Sequence, residues 1–156
     1  MTDDLFDAMI DLKHLDLLRI LDSTFTETPR LTRLIPRLCI SLLDIFDCVG
    51  VTGEIMKAAA SIRTLEYLAM QAPDGMSEET VIEFMKLLVK LPMLCQIGLV
   101  NIRVSDTAAS ILSRSKTLDA EEILSGVVIS QRAMQIVSNR GIAIYNPSLT
   151  PEEQEL

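Results

Sequence analysis

The sequence predicts an α/β fold assembled from one short repeating unit, and three observations predict it. Apolar residues make up 49% of the 156-residue chain while aromatics are only 4% and Trp is absent, so the core is built from aliphatic side chains. Hydroxyl residues recur ahead of helix-like runs at Thr26, Thr52, Ser77, Ser105, Ser130 and Thr150, with gaps of 26, 25, 28, 25 and 20 residues, and Thr2 extends the series backward by 24. Upstream of them lie "LDLLRILDSTFT" from Leu15, "ISLLDIFDCVGVT" from Ile40, "LEYLAMQAPDGMS" from Leu65 and "LCQIGLVNIRVS" from Leu94. Each carries an aliphatic residue, two variables, a second aliphatic, one variable and a third aliphatic.

Each element follows from these patterns. The last three positions of the motif alternate, as in a strand with one buried face. The hydroxyl residues are placed to cap helix N-termini, where a side-chain oxygen accepts from backbone N–H groups that have no partner inside the helix. The residues after them fit: "SEET" at Ser77, "SDT" at Ser105 and "TPEE" at Thr150 bring carboxylates to the positive end of the helix dipole, and Pro151 falls at a first helical position. The unit therefore reads strand, loop, cap, helix.

In this spacing the chain resembles the leucine-rich repeat family, whose consensus is L-x-x-L-x-L-x-x-N/C-x-L. The matching residues are Leu15, Leu18, Ile20 and Phe25; Ile40, Leu43, Ile45, Cys48 and Val51; Leu65, Leu68, Met70 and Met76; Leu94, Ile97, Leu99 and Val104; and, in a last partial unit, Ile142, Ile144 and Leu149. The length of the unit is similar to that of the ribonuclease-inhibitor-like and cysteine-containing subclasses. The resemblance implies a horseshoe solenoid, with a parallel sheet on the concave face and helices on the convex face. It covers residues 1–156 as one array of about six units: 1–14 (partial), 15–39, 40–64, 65–93, 94–117, 118–138 and 139–156 (partial).

Two departures stand out. The N/C position reads Ser23, Cys48, Pro73 or Asp74, Ile102, Gly126 and Pro147, of which Cys48 fits and Ser23 fits weakly. The fifth unit, "LDAEEILSGVVIS", puts Glu121 at an aliphatic position, where an unpaired carboxylate is costly. That strand is expected to be shifted, frayed or missing, with Ile123, Val128 and Ile129 filling the core.

Alternation lists the outward residues of the sheet, and with them the candidate partner-binding residues on the concave face: Arg19, Leu21, Asp44, Phe46, Tyr67, Gln71, Gln96, Val100, Leu124 and Tyr145. The column Leu21, Phe46, Gln71, Val100, Leu124, Tyr145 is largely apolar, as at an interaction surface. It marks a site for a protein partner, a contact with a neighbouring domain of a longer chain, or, were the register one residue out, core.

Composition and motifs exclude other classes. A formal charge of −8 argues against nucleic acid and anionic membranes as partners. Leu91–Ile102, the longest uncharged apolar stretch, is too short to span a bilayer, and the acidic "MTDDLFDAMI" is unlike a secretory signal. Cys39, Cys48 and Cys95 read as reduced thiols packed as small hydrophobes, which points to the cytoplasm. No metal site and no cofactor is expected, because three scattered cysteines and His14 make no ligand pattern. His14 has no nucleophile to serve, Gly50 and Gly53 suit a turn, and the paired acids suit helix starts, so no enzyme is expected. Arg30, Arg33 and Arg37 recur at helical spacing as a solvated basic stripe, and Met56, Met70, Met76, Met85, Met93 and Met134 read as core fillers.

Among repeat proteins of this kind, "FMKLLVKLPMLCQIGLVNIRVSD" from Phe84 is similar in style to the last units of NOD-like receptors. That resemblance implies a ligand-sensing or autoinhibitory array of a cytosolic innate immune receptor, and a chain that is the C-terminal piece of something longer. The alternatives are the substrate-recognition array of an F-box ubiquitin ligase adaptor and a bacterial effector repeat protein.

Overall fold

The computed structural model describes residues 8–9, 11–12, 14–26, 28–118, 124–125, 128–140 and 144–145. Four strands, β1 (Leu17–Leu21), β2 (Leu42–Phe46), β3 (Tyr67–Gln71) and β4 (Gln96–Val100), form one parallel sheet in the order β1-β2-β3-β4. Helices follow the strands: α1 (Thr28–Leu34) with a 3-10 turn over Ile35–Arg37, α2 (Gly53–Ala59), α3 (Glu78–Leu88), α4 (Asp106–Leu112) and α5 (Gln131–Ser138). Each helix packs on the next, and the molecule is an α/β protein.

The register repeats the sequence spacing. Leu17, Leu42, Tyr67 and Gln96 stand side by side, as do Leu18, Leu43, Leu68 and Ile97. One backbone device recurs before β2, β3 and β4: the Asp16 carbonyl accepts from the N–H groups of Ser41 and Leu42, the Ser41 carbonyl from Glu66 and Tyr67, and the Glu66 carbonyl from Cys95 and Gln96. Every incoming strand is thereby fixed to its predecessor before the sheet begins.

Aliphatic residues of the motif fill the space between sheet and helices. Leu18, Ile20, Leu43, Ile45, Leu68, Met70, Ile97 and Leu99 are all buried, and with them Leu31, Ile55, Phe84 and Leu112 from the helices. Four of the hydroxyl caps are in place: Ile55 N–H donates to Thr52 Oγ1, Thr80 N–H to Ser77 Oγ, Ala108 N–H to Ser105 Oγ and Ala133 N–H to Ser130 Oγ. α1 is described from Thr28, with Pro29 in its first turn; the residue between it and Thr26 lies outside the described residues, and the Thr26 cap with it. Thr2 and Thr150 lie outside the described residues.

At strand ends the chain turns through left-handed backbone at Asp22, Asp47 and Asn101, three residues with short polar side chains that tolerate it. The N/C position behaves in two ways. The Cys48 thiol lies 3.6 Å from the Ile20 carbonyl of the preceding unit. In the fourth unit Ile102 is buried instead, and Asn101, one residue earlier, donates to the Ala72 carbonyl.

Past Val100 the pattern changes. β5 (Arg103–Val104) pairs in parallel with β7 (Val128–Ile129), and β6 (Leu124–Ser125) pairs in parallel with β8 (Ile144–Tyr145). Of the fifth unit's strand the described residues are Leu124 and Ser125, and its remaining extent lies outside them. Ile129 packs against the core, but Val128 is 59% exposed, contrary to expectation; its place on a loop strand turns it outward. Ile123 and Glu121 lie outside the described residues.

Two further expectations are corrected. Met93 is 52% exposed because it sits in the turn that leads into β4, unlike the buried Met56, Met70 and Met85. Cys39 is exposed, not packed; Cys48 and Cys95 are half-buried, and none of the three forms a disulfide.

Candidate functional site

The helices cover one face of the sheet and leave the other to the outward residues. Three columns cross it. Leu17, Leu42, Tyr67 and Gln96 form the first, Arg19, Asp44, Ala69 and Gly98 the second, while in the third Leu21 pairs with Phe46 and Gln71 with Val100. The structure therefore brings together eight of the expected partner-binding residues: Arg19, Leu21, Asp44, Phe46, Tyr67, Gln71, Gln96 and Val100. The side chains of Leu124 and Tyr145 lie outside the described residues. Their backbones correct the expected column, because Leu124 pairs with Ile144 and Ser125 with Tyr145, so Leu124 and Tyr145 do not share a row.

This face is graded in exposure. On β1, Leu17 and Leu21 are 51% and 49% exposed, a large apolar exposure for a strand whose inward residues Leu18 and Ile20 are buried. Phe46, Gln71 and Val100 are half-buried, and the Gln71 side chain accepts from the Asp47 backbone N–H.

The second column holds the charge. Arg19 Nε donates to Asp44 Oδ2 at 2.7 Å, across adjacent strands. Such a charge-assisted bond is short and directional, and because the Arg19 side chain is 56% exposed its net contribution is on the order of 1 kcal/mol. Asp44 was expected at the surface, yet it is only 8% exposed, and its Oδ1 is buried with no hydrogen-bond partner. An acceptor in that state costs about 1 to 3 kcal/mol relative to a satisfied one.

Tyr67, on β3, leans away from Asp44 toward β4. Its hydroxyl lies 3.5 Å from where a Cβ on Gly98 would stand, so the ring runs diagonally beside Ala69, which is 1% exposed, into the space that a glycine leaves. Burial raises the Tyr67 phenol above its ordinary pKa, the Asp44 carboxylate adds to the rise and Arg19 opposes it. Alternation alone predicts which way these side chains point; it carries no signal that a tyrosine two positions from a small-residue pair will roof its neighbour.

Sequence reasoning also missed a groove of about 720 Å³ at the loops that precede the helices, lined by residues that include Met76, Asn101, Arg103, Val104, Val128 and Ser130. The caps that border it were legible; the groove is not, since it depends on how the loops of three units sit together.

The remaining candidates are placed as follows. His14 and Asp16 are exposed. Gly50 adopts φ +81° and supplies the turn, whereas Gly53 is the first residue of α2, where a Cβ would stand 2.4 Å from Thr80 Cγ2. Arg30, Arg33 and Arg37 are exposed. Burial raises the Cys48 thiol pKa, the Ser23 backbone opposes it, and Asp22 and Asp47 reinforce the rise. Among the described residues no three His, Cys, Asp or Glu side chains are grouped to hold a metal ion, and no helix is long and apolar enough to cross a membrane.

No protein-family model matches the chain, and neither does any curated protein.

Proposed function

We propose that this chain is a leucine-rich repeat array, a solenoid whose concave face is the open side of the four-stranded sheet, and that it works as a protein–protein interaction module. The recurring sheet position at residues 17, 42, 67 and 96 and the repeated carbonyl that fixes each incoming strand support the repeat reading. One observation carries the functional reading: on a sheet whose other face is packed core, Leu17 and Leu21 are half exposed on β1, and the column of Leu21 continues through Phe46 and Gln71 to Val100, apolar except for Gln71. Apolar side chains gathered on a solvated face mark a surface that another macromolecule covers.

In its finer form the proposal is a ligand-sensing or autoinhibitory array of a cytosolic NOD-like receptor, with the sheet face as the sensing surface. Its basis is the style of residues 84–106 alone.

The test uses Leu21→Lys and Phe46→Lys against Arg33→Glu on the helical side. Binding to a protein isolated with the wild-type chain falls at least about ten-fold in the two sheet variants and is unchanged in the helical one, as for anchors at an interface. All three keep a cooperative thermal transition. Retained binding in the sheet variants, or loss of their cooperative thermal transition, overturns the reading, the second because it makes the row core.

A further inference from the structure

We infer that the partner segment seated on this sheet face is cationic: a stretch of polypeptide with apolar side chains flanked by Lys or Arg. The inference rests on the proposed function and names the partner's chemistry. Two independent observations lead to it, one of charge and one of an unfilled hydrogen bond.

The charge lies along both ends of the four strands. Asp16 and Glu66 precede β1 and β3, Asp22 and Asp47 follow β1 and β2, Asp74 lies in the loop after β3, and Asp44 sits in the middle. Against these six carboxylates, the strands and their flanking loops from residue 16 to 26, 41 to 52, 66 to 77 and 95 to 105 hold two guanidiniums, Arg19 and Arg103. Asp16, Asp22, Asp47, Glu66 and Asp74 are all exposed, so their field reaches solvent. The apolar row runs between two acidic borders. A matching occupant inserts apolar groups in the middle and places positive charge at both margins, which also speeds encounter and rejects acidic competitors.

Asp44 supplies the second observation. Its Oδ2 is held by Arg19, and its Oδ1, sealed on the same face, has no donor. Burying a carboxylate oxygen unpaired is unfavourable in the free protein and becomes favourable once a donor arrives. Arg19 is the exposed member of the pair and the one able to swing aside. A partner's ammonium, guanidinium or amide N–H then completes the carboxylate, and the first two also meet the surrounding acid borders.

A displayed library of random linear peptides, selected on the wild-type chain and counter-selected on Phe46→Lys, tests this. The inference expects the enriched peptides to combine apolar residues with net positive charge. A re-synthesised peptide then binds about ten-fold more weakly to Asp44→Asn and to the double variant Asp22→Asn, Asp47→Asn, and its affinity falls with added salt. Asparagine keeps the left-handed backbone at 22 and 47, so the double variant decides the matter even if Asp44→Asn fails to fold. Enrichment of neutral or acidic peptides, or cationic peptides indifferent to both variants, overturns the cationic partner and leaves the proposed interaction face standing. Peptides that bind wild type and Phe46→Lys alike, or no enrichment, overturn both.

Discussion

From Leu17 to Val100 the strands pair residue for residue over five, four and five positions, whereas beyond Val100 the described residues pair two at a time, with 119–123, 126–127 and 141–143 outside the described residues. The helices are described past Val100 as before it: α4 and α5 carry the same serine caps as α3 and pack on one another. The comparison teaches that strand and helix answer to separate signals within a unit. A strand needs three aliphatics at fixed spacing, which units one to four supply. A helix needs a cap and a stripe of small apolar residues, and both survive into the fifth unit as Ser130, Ala133 and Val137.

Substitution of equally buried residues breaks the contrast most sharply. Leu68→Ala, in β3 with a paired strand on each side, is expected to cost about 3 to 5 kcal/mol, because rigid neighbours leave a cavity that cannot close. Val81→Ala in α3 costs about 2 kcal/mol. Val137→Ala in α5 costs less than Val81→Ala although both side chains are buried, because among the described residues α5 packs on one helix, α4, where α3 packs on two. Urea denaturation of the three variants orders them; equal costs for Val81→Ala and Val137→Ala would remove the distinction between the regions.

Glycines sharpen the comparison within the regular part. Gly50 and Gly75 both take positive φ, +81° and +70°, but a Cβ on Gly50 would stand 2.3 Å from the Phe25 carbonyl oxygen, while one on Gly75 meets nothing. Gly50→Ala is expected to cost about 2 to 4 kcal/mol, from the left-handed backbone and the clash together, and Gly75→Ala about 1 kcal/mol from the backbone alone. Melting temperatures that fall equally would mean that the loops of units one and two are not in contact.

Caps give the smallest effect. Ser77→Ala removes the capping bond and an exposed hydroxyl–hydroxyl bond to Thr80 within the same turn, and costs about 1 kcal/mol. Ser130→Ala costs a few tenths more, because Ser130 Oγ also donates to Asp106 Oδ1 at 2.6 Å and ties α5 to α4. A Ser130→Ala loss below that of Ser77→Ala would show the tie to be idle.

The architecture was legible where one residue type has one use. The motif aliphatics from Leu18 to Leu99 are buried, and Thr52, Ser77, Ser105 and Ser130 cap helices, because period and hydroxyl placement are local properties. Local pattern stops short of the site. That Asp44 pairs with Arg19 depends on a residue 25 places away, one strand back, and that the Tyr67 hydroxyl comes to Gly98 depends on a residue one strand on. The same limit explains Leu124 and Tyr145, whose assumed row required Tyr145 opposite Leu124, where Ile144 stands. Asn101 replaced Ile102 at the neighbour-bonding position by a shift of one residue, which only the left-handed turn reveals.

Amide hydrogen exchange tests most directly whether each unit depends on its neighbours for backbone partners and core. Slowest exchange is predicted in β2 and β3, which are paired on both sides, faster exchange in β1 and β4, and the fastest in β6 and β8. Uniform protection from β1 to β8, opening in one step, would contradict a stack of interdependent units.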